Sequence, residues 1–149
     1  MDRNSLVAWA AGFFDGEGYV GITRHTTDGF ALQVAVTQVD PRPLGVLRGL
    51  FGGSISGVKN RAIYQWRLSA RAAAPMLKEI LPFLRVKGEQ AALGLEFQAR
   101  RVNGRPRGLP RNAPVNDREK DERDYMQMRS LKLTSKTTPL VPSKQEGNK

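Results

Sequence analysis

The stretch Ala10-Ala11-Gly12-Phe13-Phe14-Asp15-Gly16-Glu17-Gly18 holds two carboxylates interleaved with glycines at the end of an apolar run with helical spacing. Acids at a helix C-terminus face the negative end of its dipole, at a cost of about 0.3–1 kcal/mol each unless a positive charge compensates. Oxygen ligands suit a hard divalent cation, and Gly16 and Gly18 let the backbone turn tightly and expose carbonyls as further ligands. Glu17, placed past the helix end and toward the sheet, is the better ligand of the two acids. Asp15 suits a capping or turn-stabilising role.

Composition narrows the remaining chemistry. The chain has no cysteine, which excludes disulfides, thiolate chemistry and cysteine-based zinc sites, and its one histidine, His25, excludes a His-rich centre. Any metal must therefore be held by oxygen. The 149 residues, 40% apolar and 26% charged, fit one domain with a tail. A net charge of +10 and a pI near 10.5 favour a polyanionic partner, above all nucleic acid. No signal-peptide pattern or membrane-spanning run is expected, so the predicted location is intracellular, acting on DNA.

These side chains need elements to position them. A helix is predicted from about Ser5 to Asp15. Strands follow at 19–25 and 30–38, joined across Thr26-Thr27-Asp28-Gly29. Asp40-Pro41 opens a second helix that carries Leu44, Leu47 and Phe51 inward and stops at Gly52-Gly53. A second hairpin spans 54–58 and 62–69, turning at Lys59-Asn60-Arg61. Pro75 fits the first turn of a helix through Leu81, and a further helix covers 87–100. The order αββαββα gives an α+β fold, a four-stranded antiparallel sheet with helices on one face. A core domain is expected over 1–101, an Arg/Gly/Pro-rich linker over 102–116, a C-terminal helix over 117–133 and a disordered tail over 134–149. Residues 100–149 hold 13 of the 24 Lys and Arg but 6 of the 14 Asp and Glu.

Alternation puts Val20, Ile22, Phe30, Leu32, Val34 and Val36 on one face of the first hairpin. The opposite face gathers Tyr19, Gly21, Thr23, His25, Ala31, Gln33, Ala35 and Thr37, joined from the second hairpin by Ser54, Ser56, Gln65 and Arg67, with Lys59 and Arg61 at the turn. Hydrogen-bonding side chains on a two-stranded ribbon suit the major groove, with Gln on adenine and Arg on guanine the common pairings. A solvated sheet face accounts for the same Gln and Thr residues; the basic charge favours double-stranded DNA. On the first helix Ala8, Ala11, Gly12 and Asp15 form a small-residue stripe that permits close approach of a second helix, either the same helix of a second subunit across a two-fold axis or a later helix of the same chain.

The nonapeptide resembles the LAGLIDADG motif, with Ala10 in the first Leu place, Phe13 and Phe14 for Leu-Ile, and Glu17 for the second Asp. With the αββαββα order, the chain resembles the single-motif LAGLIDADG homing endonucleases over roughly residues 4–100. That resemblance implies a homodimer joined through the motif helix and cleavage of a long pseudo-palindromic duplex with Mg²⁺, for which Mn²⁺ substitutes. It implies metal binding by the Glu17 carboxylate and the Gly16 carbonyl, with Asp15 as the other motif acid. Within Thr37-Gln38, closing the second strand, it implies a water-ordering role for Gln38. In LPFLRVKGEQ it places a lysine supporting the transition state at Lys87, a residue that could otherwise be a phosphate contact or a solvated lysine at a helix start. Glu17 in place of Asp departs from the motif but is chemically equivalent. The alternatives on this scaffold are a maturase that binds intron RNA, a non-catalytic DNA-binding regulator, or a protein-interaction module.

Overall fold

The structure is a computed structural model and describes residues 1–25, 29–103 and 118–137. The expected hairpin loop at Thr26-Thr27-Asp28 lies outside the described residues, as do most of the expected linker and the tail after residue 137.

Helix α1 (Arg3–Glu17) begins and ends beyond the expected bounds. Its N-cap is Asp2, whose carboxylate accepts from the Ser5 N–H (3.0 Å) and the Ser5 hydroxyl (2.8 Å), so Ser5 lies inside the first turn. At the other end the Gly18 N–H donates to the Phe14 carbonyl, which keeps the helical ladder intact through Glu17. Glu17 is thus the last helical residue rather than one past the end. The buried face of α1 is Val7, Ala10, Ala11 and Phe14, an i, i+3, i+4, i+7 set.

Strands β1 (Gly18–His25) and β2 (Gly29–Gln38) form the first hairpin, and β3 (Ser54–Gly57) and β4 (Tyr64–Leu68) the second. The antiparallel sheet runs β1-β2-β4-β3, with the hairpins joined through Val34 opposite Leu68, Val36 opposite Trp66 and Thr37 opposite Gln65. The second hairpin is shorter than its sequence pattern: Asn60 takes a positive φ of 62°, and the Val58 N–H closes the loop on the Ile63 carbonyl.

Helix α2 (Arg42–Phe51) buries Leu44 and Leu47 and ends at Gly52 and Gly53, both at positive φ. The Gly52 carbonyl accepts from the Trp66 indole at 2.8 Å, which satisfies the one polar atom of a fully buried tryptophan. Helix α3 (Ala70–Ile80) starts at a Ser69 cap, so Pro75 sits inside the helix, not in its first turn. A 3₁₀ turn (Leu81–Phe83) leads to Leu84–Lys87 and then α4 (Gly88–Asn103).

Helix α5 (Arg118–Thr137) runs four residues past the expected end at 133, and α4 continues through the first two residues of the expected linker. The polar sequence of α5 is anchored by a buried ionic cluster. Arg100 pairs with Asp121 (3.5 Å) and Asp124, and Arg101 with Asp121 (2.9 Å), both acids being largely buried. Met128 joins the core, so α5 packs against the domain that was expected to end at 101.

The core lies between the helices and one sheet face, where Val20, Ile22, Phe30, Leu32, Val34, Val36, Trp66 and Leu68 meet Phe14, Leu77, Ile80 and Phe97. The opposite sheet face is open. Tyr64 shares the parity of Trp66, yet at the end of β4 it is exposed.

Candidate active site and nucleic-acid interface

The end of α1 meets the start of α4. The Asp15 carboxylate accepts from the backbone N–H groups of Arg85 (2.6 Å), Val86 (3.2 Å) and Lys87 (3.0 Å). Lys87 precedes the first turn of α4, since its carbonyl accepts from the Ala91 N–H. Asp15 therefore sits at the positive end of a second helix, which offsets its unfavourable position on the first. The Lys87 ammonium in turn donates to the Asp15 backbone carbonyl. Burial pushes the Lys87 ammonium below its ordinary pKa, while the charges of Asp15 and Glu17 pull it back up. Glu17 itself is exposed and has no hydrogen bond or ion pair among the described residues. The two motif acids thus have different surroundings: one is bound to backbone, the other is available.

The open sheet face carries two adjoining hollows. The first, about 280 Å³, is lined by Glu17, Tyr19, Gln33, Ala35, Thr37 and Gln65. The second, about 390 Å³, is lined by Ser56, Arg61 and Arg67 with Gly57, Val58 and Ile63, and shares Thr37 and Gln65 with the first. The sheet thereby brings Glu17, Tyr19, Gln33, Gln65, Ser56, Arg61 and Arg67 to one surface. Thr23 lies beside the first hollow and donates its hydroxyl to the Gln33 amide oxygen at 2.8 Å. His25, Ser54 and Lys59 are exposed at strand ends and turn, outside both hollows, and Ala31 is half-buried.

Two expectations need correcting. Ala35 lies on the open face but is 3% exposed, because its short side chain sits beneath longer neighbours; it forms floor rather than a contact surface. Ala11 was grouped with Ala8 and Gly12 as helix-contact surface, yet it is fully buried with Ala10 in the chain's own core. Ala8 and Gly12 are exposed, beside Trp9 stacked on Phe13 at 5.3 Å. Gln38 has the parity of Val34 and Val36, is half-buried at the end of β2 and lines neither hollow; the neighbouring Thr37 lines both. The Gly16 backbone is exposed in the last turn of α1.

Thr37, which alternation places on the open face, forms a shared wall of both hollows, while sequence reasoning missed Lys132 of α5 altogether. The Lys132 ammonium stands 3.8 Å from the centre of the Tyr19 ring, and both side-chain tips cross above Gly21. No local signal announces Lys132, because its place follows from the docking of α5.

Among the described residues no group of three or more His, Cys, Asp or Glu side chains converges, and no helix is long and apolar enough to cross a membrane.

No protein-family model matches the chain, and no curated protein sequence matches it. Solved structures do. The homing endonuclease I-CvuI, in complex with the I-CreI target in the presence of Mg with the DNA not cleaved, aligns with a TM-score of 0.62 at 18% identity, over 95% of this chain and 86% of that one. The homing endonuclease I-TnaI aligns at 0.50 and 22% identity, over 82% of this chain and 97% of that one. The I-SmaMI LAGLIDADG homing endonuclease bound to cleaved DNA aligns at 0.51 and 17% identity over all of this chain and 52% of its own. The α+β order, the four-stranded antiparallel sheet with one open face, and these likenesses agree: the chain has the LAGLIDADG homing endonuclease fold.

Proposed function

We propose that this chain is a site-specific DNA endonuclease of the single-motif LAGLIDADG type, working as a homodimer with a divalent cation, Mg²⁺ or Mn²⁺. The observation that carries the proposal is the unequal use of the two motif acids. Asp15 is consumed by backbone N–H groups, which leaves Glu17 as a free carboxylate on the wall of a hollow in the open sheet face. One carboxylate per chain is a poor cation site alone, and a second copy across a two-fold axis supplies another. The exposed surface of α1, with Ala8, Trp9 and Gly12, is the face offered for that contact.

The donor set fits a hard cation: the Glu17 carboxylate and the Gly16 carbonyl are both oxygen ligands. The chemistry such a cation supplies when bound is a lowered water pKa and stabilisation of the leaving 3′ oxygen. This chain's residues do the rest. Arg61 and Arg67 hold the DNA backbone or bases over the sheet, and Lys87 brings positive charge beside Glu17; the water-ordering role that the resemblance implies for Gln38 would have to be exercised from the end of β2, outside both hollows. That I-CvuI and I-SmaMI are found with DNA supports a duplex as the partner of the open face.

The test is Glu17→Gln. Cleavage of the cognate duplex with Mg²⁺ should fall below detection while binding stays within about tenfold, because the amide keeps the shape and loses the ligand charge. Undiminished cleavage by the variant would refute the metal role. Tight binding by the parent chain with the duplex left intact would favour a DNA-binding regulator instead. Binding should also weaken steeply with salt, since several phosphates are contacted.

A further inference from the structure

The open face carries a chain of hydrogen bonds whose direction is fixed by chemistry. The Arg67 Nε donates to the Gln65 amide oxygen, and the Gln65 amide nitrogen donates to the Thr37 hydroxyl at 3.1 Å. Thr37 and Gln65 stand directly opposite each other on β2 and β4, while Arg67 is two residues along β4 from Gln65 and so shares its face. A guanidinium has five donors and no acceptor, so it can meet only the oxygen of the Gln65 amide. The amide cannot be turned end for end while Arg67 is in place.

A glutamine reads adenine by presenting both ends of its amide, the oxygen to the adenine amino group and the nitrogen to N7. In Gln65 each end of the amide makes one bond within the protein, which fixes its orientation toward Arg67. On the neighbouring strand the Gln33 amide oxygen accepts from the Thr23 hydroxyl. Arg67 is exposed, and with its Nε held by Gln65 its terminal nitrogens remain as donors. An array of donors matches the O6 and N7 acceptors of guanine and opposes the amino group of adenine.

We infer that Gln65 is a positioning residue for Arg67, and that their locked pair makes the β2–β4 part of the open face select guanine rather than adenine. This rests on the reading of that face as a DNA-binding surface, but not on cleavage.

The experiment is selection of bound duplexes from a randomised library with the full chain, followed by sequencing, for the parent, Gln65→Leu and Arg67→Ala. Both residues are on the open surface, and a thermal melt of each variant checks that it is folded. The parent should enrich guanine at one position of each half-site by about tenfold, a typical worth of one bidentate contact. Gln65→Leu should reduce that preference to within about twofold, since Arg67 loses its anchor. Arg67→Ala should remove the guanine preference at the same position to within about twofold, because the donors that would meet O6 and N7 are gone. A merely structural role would weaken binding to all sequences alike. Adenine selected by the parent, abolished by Gln65→Leu and unaffected by Arg67→Ala would overturn the inference, as would binding without base preference at that position. A parent that selects guanine in this way but does not cut would instead defeat the endonuclease reading alone.

Discussion

Replacement of Asp15 by alanine should show in stability rather than in chemistry, and its size follows from the contacts. The carboxylate accepts three backbone N–H groups at 2.6, 3.2 and 3.0 Å. A fully buried hydrogen bond to a charged group contributes about 1.5–3 kcal/mol. Arg85 and Val86 are exposed, so water can replace the lost acceptor there, while Lys87 is half-buried and less easily compensated. Loss of the favourable charge at the start of α4 adds about 0.3–1 kcal/mol. The sum is about 2–4 kcal/mol, a fall in Tm of about 5–15 °C for a chain of this size. Asp15→Asn should lose less, about 1–2 kcal/mol: one oxygen survives, while an NH₂ group comes to face the Arg85 N–H. Urea unfolding with an unchanged m-value measures both, and hydrogen exchange at residues 85–87 locates the effect. If Asp15→Ala unfolds within about 0.5 kcal/mol of the parent, an ordinary surface change, the anchoring argument fails.

Gly18→Ala should be severely destabilising, because a Cβ there would stand 2.3 Å from a ring carbon of Phe14, which is fully buried and has no room to yield; a parent-like urea midpoint would contradict this. Asp121→Ala removes the acceptor shared by Arg100 and Arg101 and should cost about 3–5 kcal/mol, as expected when a buried ion pair loses one partner. The loss should persist at high salt, where an exposed pair would be screened. Burial lowers the Lys87 pKa from the ordinary 10.5, so just below that value the unfolded chain binds more protons than the folded one and stability should rise with pH. Lys87→Met should remove that component of the rise, as read from unfolding free energies across the alkaline range.

Much of the fold was legible because its signals are local. Period-two alternation placed the two faces of the hairpins, Gly52-Gly53 ended α2, and a nine-residue motif identified the helix that bears the acids. The misses share a cause. Pro75 was assigned to a first turn because the cap at Ser69 lay inside an apparent strand, and α5 was read as a polar appendage because its anchor is an ionic cluster with α4 rather than an apolar stripe. Ala11 was placed on the outer stripe because Ala8, Ala11 and Gly12 are alike in size. Only packing distinguishes the buried set Val7, Ala10, Ala11 and Phe14 from the set one residue later.

By itself the sequence determined the residue types a hard-cation site needs, the basic charge that a polyanion would meet, and the element order that puts acids at the edge of an open sheet. The tertiary structure decided how those residues are used. Asp15 and Glu17, two positions apart on one helix, differ because the segment leading into α4 presents the N–H groups of Arg85, Val86 and Lys87 to only one of them. Gln65 and Arg67, read separately as base-reading side chains, are bound to each other across the surface that holds them. Hydrogen-bond partners far apart in sequence are set by the packing of whole elements, and no local pattern encodes that distance.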